Sequence, residues 1–186
     1  PYGISKLAAD QFGRLHREKY SQFVSVGMLY NHESPLRPAN YLSRRLSLGV
    51  AAIKRGEAKE LQLGDLSAER DWSDARDIVH AMWLSLQAAK PGDYVFASGT
   101  QKKVEDFVAA AFGAAGLDWR EFVKTTARTN HEQQVPFGLC GDARKAEAEL
   151  GWKRAWNFEA MVADLVRAEL ENRSEMDRAN PAAKPT

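Results

Sequence analysis

Phe23-Val24-Ser25-Val26-Gly27-Met28-Leu29-Tyr30-Asn31-His32-Glu33-Ser34-Pro35-Leu36-Arg37 is the stretch on which the fold turns: an apolar run delivers, without a break, a string of polar and charged groups. Near-continuous apolar runs are the mark of strands buried on both faces, and α/β folds collect ligand contacts where such strands end. The run Phe23 to Tyr30 therefore reads as a buried strand, with the string from Asn31 in the loop beyond it. Asn31 offers an amide that donates and accepts, His32 an imidazole, and Arg37 a permanently charged fork suited to phosphate. An ordinary proline-containing loop with a capping Asn31 or Ser34 explains the same composition, and both readings stand.

Working outward, Ile4, Ala8, Phe12 and Leu15 recur at spacings of three and four, which predicts an amphipathic helix over 3–20. Downstream, Leu42, Leu46, Val50 and Ile53 mark a second helix ending before Gly56, and Leu61 with Leu63 a short strand closed by Gly64-Asp65. A third helix is expected from Ser73, whose hydroxyl is placed to cap it, with Ile78, Val79, Met82, Trp83 and Leu86 as its inner face. Tyr94 to Ala97 reads as a strand. Val104, Phe107, Val108, Ala111 and Phe112 predict a fourth helix stopping around Gly116, with Phe122-Val123 a small strand beyond. The stretch from Thr125 to Gly141 has no clean periodicity. A short helix from Asp142 to Gly151 and a last one built on Phe158, Met161, Val162, Leu165 and Leu170 follow. From Arg173 the composition turns polar, with Pro181 and Pro185, as in a mobile tail. Helices alternating with short strands define an α/β chain.

The 186 residues carry 26 Lys+Arg against 25 Asp+Glu, so no global field points to nucleic acid or an anionic membrane. No apolar run approaches the roughly 20 residues that span a bilayer. The single Cys140 excludes an internal disulfide, suits a reducing compartment such as the cytoplasm, and reads as a small buried hydrophobe. The four His show no metal-ligand spacing, and no metal is expected. The chain begins Pro1-Tyr2-Gly3 and runs at once into a helical pattern, which reads as a fragment of a longer polypeptide. No glycine-rich strand-to-helix turn occurs in it, so no cradle for a dinucleotide pyrophosphate is recognisable.

Tyr2 and Lys6 lie four apart on the first predicted helix, one turn from each other on one face. A free phenol titrates near 10, and a fixed ammonium nearby favours the phenolate. Tyr2 would then exchange a proton with a sugar hydroxyl or ketone. A surface pair of no consequence is the competing account of so short a pattern. Arg70-Asp71-Trp72 sets a large aromatic beside a charged fork, a common way to hold a planar or phosphorylated ligand, with surface charge as the alternative.

Taken together, Tyr2-x-x-x-Lys6, Asn31-His32-Glu33-Ser34-Pro35, Arg70-Asp71-Trp72 with Asp77-Ile78-Val79, and Gly141-Asp142 leading to Leu150-Gly151-Trp152 resemble the extended short-chain dehydrogenase/reductase family. Within it the resemblance is to the GDP-mannose 4,6-dehydratases, over residues 1–172, with the Asn-His-Glu-Ser-Pro string as the specific element. The resemblance implies an incomplete Rossmann-like fold: the last strands of a parallel sheet plus the smaller C-terminal substrate-binding domain. Residues 1–35 would close the dinucleotide-binding domain, 36–172 would be mainly substrate-binding with a return to the first domain near 66–98, and 173–186 a flexible tail. It further implies Tyr2 as the active-site base with Lys6 lowering its pKa and touching the nicotinamide ribose; His32 and Arg37 as NADP contacts, NAD being the alternative cofactor; and Asn31, Arg45 (where the family usually has Lys) and Arg70 as holders of the GDP part of GDP-mannose. A homo-oligomer through the Tyr2-bearing helix is implied as well.

Two departures are visible. The family's glycine-rich turn and its Ser/Thr and eliminating Glu precede the catalytic Tyr and are absent here, so the chain alone is expected to be inactive. The family's Arg-Pro-x-Glu segment is replaced by Glu132-Gln133-Gln134-Val135, which bears on substrate identity. An epimerase or reductase acting on another nucleotide sugar, and a non-catalytic binding or oligomerisation module, are the alternatives.

Overall fold

The apolar run expected as a buried strand over Phe23 to Tyr30 is a strand only at Val26–Leu29, with Phe23, Met28 and Leu29 exposed, and the polar string beyond it opens with a second strand. In the computed structural model, which describes residues 1–125 and 139–171 in full and the helical backbone over 172–179, β1 (Val26–Leu29) pairs in parallel with β5 (Asp93–Phe96). The Tyr30 N–H then closes that ladder on the Phe96 carbonyl at 3.0 Å. From Asn31 the chain changes partners: β2 (Asn31–Glu33) lies parallel to β4 (Glu69–Asp74), with Asn31 opposite Trp72 and Glu33 opposite Asp74. The polar string thus begins inside a sheet rather than in a loop. Its amides are consumed by a ladder, and the loop starts at Ser34.

Around these strands run α1 (Tyr2–Tyr20), α2 (Leu42–Lys54), β3 (Leu61–Leu63), α3 (Ala75–Gln87), β6 (Gln101–Lys103), α4 (Val104–Ala114), α5 (Trp119–Phe122), β7 (Val123–Thr125), α6 (Arg144–Leu150) and α7 (Phe158–Ala179). β6 adds antiparallel to β4, and β7 pairs in parallel with β3. β6 and α5 have no apolar periodicity and were not expected; Phe122 closes a helical turn, with the strand starting one residue later. α7 continues through Ala179, so the polar stretch from Arg173 is helical as far as that residue, and 180–186 lie outside the described residues.

Two apolar cores result. The larger joins α2, α4 and α7 over Trp72, with Leu46, Val50, Phe107, Val108, Phe112, Met161, Val162 and Leu165 buried. Trp72 meets Phe107 edge-on and lies tilted against Phe158, geometries favoured by ring quadrupoles. The smaller gathers Ile78, Ala81, Tyr94, Phe96, Ala143, Ala146 and Trp152, on the side of the β1–β5 pair.

Three expectations about side chains are corrected. Ser73 does not cap α3: it is the penultimate residue of β4, and Asp74 caps instead, accepting from the Arg76 N–H at 2.8 Å. Val79, Met82, Trp83 and Leu86 are exposed, while Asp77, Ile78, Ala81 and Ser85 form the buried face of α3. The Asp77 carboxylate accepts from the Ala155 and Trp156 N–H groups, and its carbonyl accepts from the Trp152 indole at 3.0 Å, which rotates the small residues inward. Cys140 is exposed rather than buried.

Candidate active site

α1 is seated at its C-terminal half only. Its residues 2–9 are all exposed, whereas Arg17 grips Asp93 with two N–H groups at 2.8 and 3.2 Å and donates to the Val24 carbonyl at 3.1 Å. One turn earlier, Gly13 packs closely against the Val24 and Val26 side chains, where an added Cβ would press on Val26 at 3.0 Å. Contacts that step back along α1 step forward along β1, so the helix runs antiparallel to the strand. Its N-terminal turn is directed toward the C-terminal end of β1, the end at which the polar string begins.

That turn carries Tyr2 and Lys6. Tyr2 is 75% exposed, and the Lys6 ammonium lies 5.2 Å from its ring centroid. The i,i+4 face expected from the spacing is present.

The string itself is heavily organised. His32 Nδ1 is 2.8 Å from the Tyr30 carbonyl, leaving Nε2 as its second ring nitrogen. Arg37 donates from Nη1 to the His32 carbonyl at 2.5 Å, sits 3.2 Å from Glu33, and covers the Tyr41 ring at 4.0 Å. Glu33 is 5% exposed and also accepts a hydrogen bond from the Ser43 hydroxyl at the start of α2. Burial pushes the Glu33 carboxyl up, opposed by Ser43 and by the Arg37 charge.

Of the residues assigned to the nucleotide, Asn31 and Arg70 share a face of the three-stranded sheet: Asn31 stands opposite Trp72, and Arg70 precedes Trp72 by two. Arg70 is exposed and caps the Glu69 carbonyl at 2.6 Å. Arg45 lies on the exposed side of α2, and no hydrogen bond or ion pair among the described residues brings it to that pair; its neighbour Arg44 turns inward to Glu169 of α7. Trp72 is buried in the larger core and unavailable to a ligand, which removes the expected aromatic partner of Arg70. Glu132 to Val135 lie outside the described residues.

Sequence reasoning passed over Asp71. It is 1% exposed, and its carboxylate accepts from the Ser98, Gly99 and Gly141 N–H groups at 2.7, 2.9 and 3.1 Å. It thereby ties β4 to the loop after β5 and to the segment entering α6. The signal was an Asp between Arg70 and Trp72 in a strand: a carboxylate survives burial there only when N–H donors surround it. Gly141 must be Gly, because a Cβ would collide with that of Ala97 and crowd the Tyr30 ring.

The comparisons with known proteins give the class first. The fold matches the structure of RMD from Pseudomonas aeruginosa complexed with NADPH (TM-score 0.81, 21% identity, 92% of this chain and 56% of that one). It matches dTDP-glucose 4,6-dehydratase from Bacillus anthracis in complex with NAD at a TM-score of 0.76 and 21% identity, over 94% of this chain and 53% of that one. At those identities the likeness fixes architecture alone: a Rossmann-like α/β fold. The particular family follows from closer relatives. GDP-mannose 4,6 dehydratase 2 of Arabidopsis thaliana is 43% identical over 171 residues, and the human GDP-mannose 4,6 dehydratase 36% over 200. The family model for GDP-mannose 4,6 dehydratase matches residues 1–165, and the chain belongs to that family. It spans about half the length of these relatives, 46% of the plant protein and 52% of the human one.

Proposed function

We propose that this chain supplies the proton-transfer helix and the substrate-holding half of a GDP-mannose 4,6-dehydratase, an NADP-dependent lyase that forms GDP-4-dehydro-6-deoxy-mannose. One observation carries the reading: the exposed Tyr2–Lys6 turn heads for the strand end where Asn31, His32 and Arg37 are assembled. Residues 1–35 then belong to the dinucleotide-binding domain and 36–172 mainly to the substrate-binding domain, with 66–98 returning to the first; the pairing of β5 with β1 supports that return. The exposed apolar stripe of α1 supports a homo-oligomer through this helix, and the lone thiol a cytoplasmic setting.

The residues present suit a nicotinamide dinucleotide on this side of its site. Lys6 and the remaining N–H groups of Arg37 offer donors to ribose and phosphate, and His32, whose Nδ1–H donates to the Tyr30 carbonyl, offers Nε2 as an acceptor for a ribose hydroxyl, with NAD as the alternative to NADP. When bound, the cofactor would take hydride from the sugar C4 and return it to C6. Tyr2 accepts the proton of the C4 hydroxyl, with the Lys6 ammonium one helical turn away and over its ring. Asn31, Arg45 and Arg70 hold the GDP moiety, cations and an amide matched to phosphate oxygens. Elimination of water across C5 and C6 requires an acid and base beyond those assigned here.

The test is product analysis of the complete polypeptide with GDP-mannose and NADP. Loss of one water from the sugar nucleotide, abolished in Y2F, is the expected result; an epimerised or reduced sugar instead would sink the dehydratase reading.

A further inference from the structure

We propose that Glu33 is a positioning residue that holds Arg37 as an oriented fork for a phosphate group of the bound nucleotide. The proposal rests on the reading of Arg37 as a cofactor contact and adds what makes that contact directional. Arg37 spends a single nitrogen on the protein: Nη1 meets both the Glu33 carboxylate and the His32 carbonyl. Its guanidinium carbon rests over the Tyr41 ring, 4.0 Å from the centroid. Among the described residues, Nε and Nη2 carry no hydrogen bond, and the side chain keeps 23% of its surface open. A guanidinium clamped at one nitrogen and stacked on a ring presents its other N–H groups in a known direction, which suits a phosphate and removes most of the ordering cost of binding it.

Glu33 is equipped to be the clamp. It is nine-tenths buried at the last position of β2, and the Ser43 hydroxyl of α2 occupies its other side. A carboxylate buried at a cost, with Ser43 and Arg37 as its side-chain partners, is an expensive way to stabilise a fold, since apolar residues of similar volume do as well or better. Its neighbour across the ladder, Asp74, has its own partner in Arg76 and does not compete for Arg37. The triad joins β2, the loop from Ser34 and the first turn of α2 into one unit whose outward product is the free edge of Arg37.

The experiment uses the complete polypeptide, isotope-labelled on arginine, with the Arg37 Nε–H signal observed by NMR and NADP as titrant. In the native chain the signal is dispersed and slow to exchange without ligand, and NADP moves it. E33Q is expected to collapse it toward the position of a free arginine and to weaken NADP about tenfold, the worth of one charge-assisted hydrogen bond. The double variant E33Q/R37A is expected to bind as R37A alone, because Glu33 acts through Arg37. Additive losses, or a native-like Arg37 signal in E33Q, overturn the positioning role. An ordered Arg37 signal that depends on Glu33 but ignores NADP overturns the nucleotide part of the proposal together with the cofactor reading of Arg37. Should E33Q fail to fold, S43A carries the same test by withdrawing the second partner of Glu33 while leaving its charge; an unchanged Arg37 signal there counts against the clamp.

Discussion

Asp71, Gly141 and Tyr2 show three different ways in which one residue decides a local outcome. Asp71 satisfies three backbone N–H groups from two separate segments, and its removal leaves those donors without an acceptor. D71A is therefore expected to cost about 3 kcal/mol, measured by denaturant unfolding, with D71N losing less because one oxygen remains. At Gly141 the constraint is steric: the Cβ of Ala97 and the ring of Tyr30 occupy the space a methyl would take. G141A should lose about 2 kcal/mol by overpacking, and A97G should restore part of it. Tyr2 is the opposite case, an exposed side chain whose substitution leaves stability untouched. Y2F in the complete polypeptide is expected to lower kcat by about two to four orders of magnitude with an unchanged Tm, the magnitude of a lost proton-transfer group. A parallel fall in Tm would mean that the phenol serves the fold.

At the scale of elements, α1 depends on one charge cluster. Arg17, with Arg14, holds Asp93 at the start of β5, and their proximity lowers the Asp93 carboxyl below its ordinary range. A carboxyl depressed in the folded state contributes stability above its unfolded pKa, and the contribution disappears as pH falls through the folded value. D93N is thus expected to melt below the native chain at neutral pH, by an amount near 1 kcal/mol, and the two curves should converge in acid. A gap that persists in acid would assign the loss to packing. These elements also mark the limit of what periodicity conveys. α2, α4 and α7 were legible because each has a single apolar stripe that packs against the others. α3 was located correctly and faced wrongly: its large residues Val79, Met82, Trp83 and Leu86 look outward, because Asp74 and Asp77 fix the rotation of the helix through hydrogen bonds that hydrophobicity does not encode. The split between β1 and β2 was invisible for a related reason, since a change of ladder partner leaves the alternation of side chains intact. The candidate site fared likewise: the chemistry of Asn31 to Arg37 was readable from residue types, whereas the internal use of Arg37 by Glu33 depended on burial.

At the scale of the whole molecule, large apolar side chains stand exposed on three elements. Ile4, Leu7, Phe12 and Leu15 on α1, Met28 and Leu29 on β1, and Val79, Met82, Trp83 and Leu86 on α3 all lie open, and among the described residues β1 has a single ladder partner, β5. Monomeric proteins seldom leave such surfaces uncovered. The isolated chain is expected to associate with rising concentration in size-exclusion chromatography with light scattering, and W83E with M82E to reduce that association; a strictly monomeric native chain at high concentration would refute this. The arrangement of α1 has a mechanical corollary. Held from Gly13 onward and free before it, the helix is a cantilever whose tip is Tyr2, about 16 Å from the last support at 1.5 Å per residue. A tilt of about 4° at the support moves the tip by roughly 1 Å, and displacements of that size cost on the order of a hundredfold in rate. Whatever surface comes to lie along Ile4 and Leu7 therefore braces the beam, and stiffness delivered there becomes catalytic precision at the phenol.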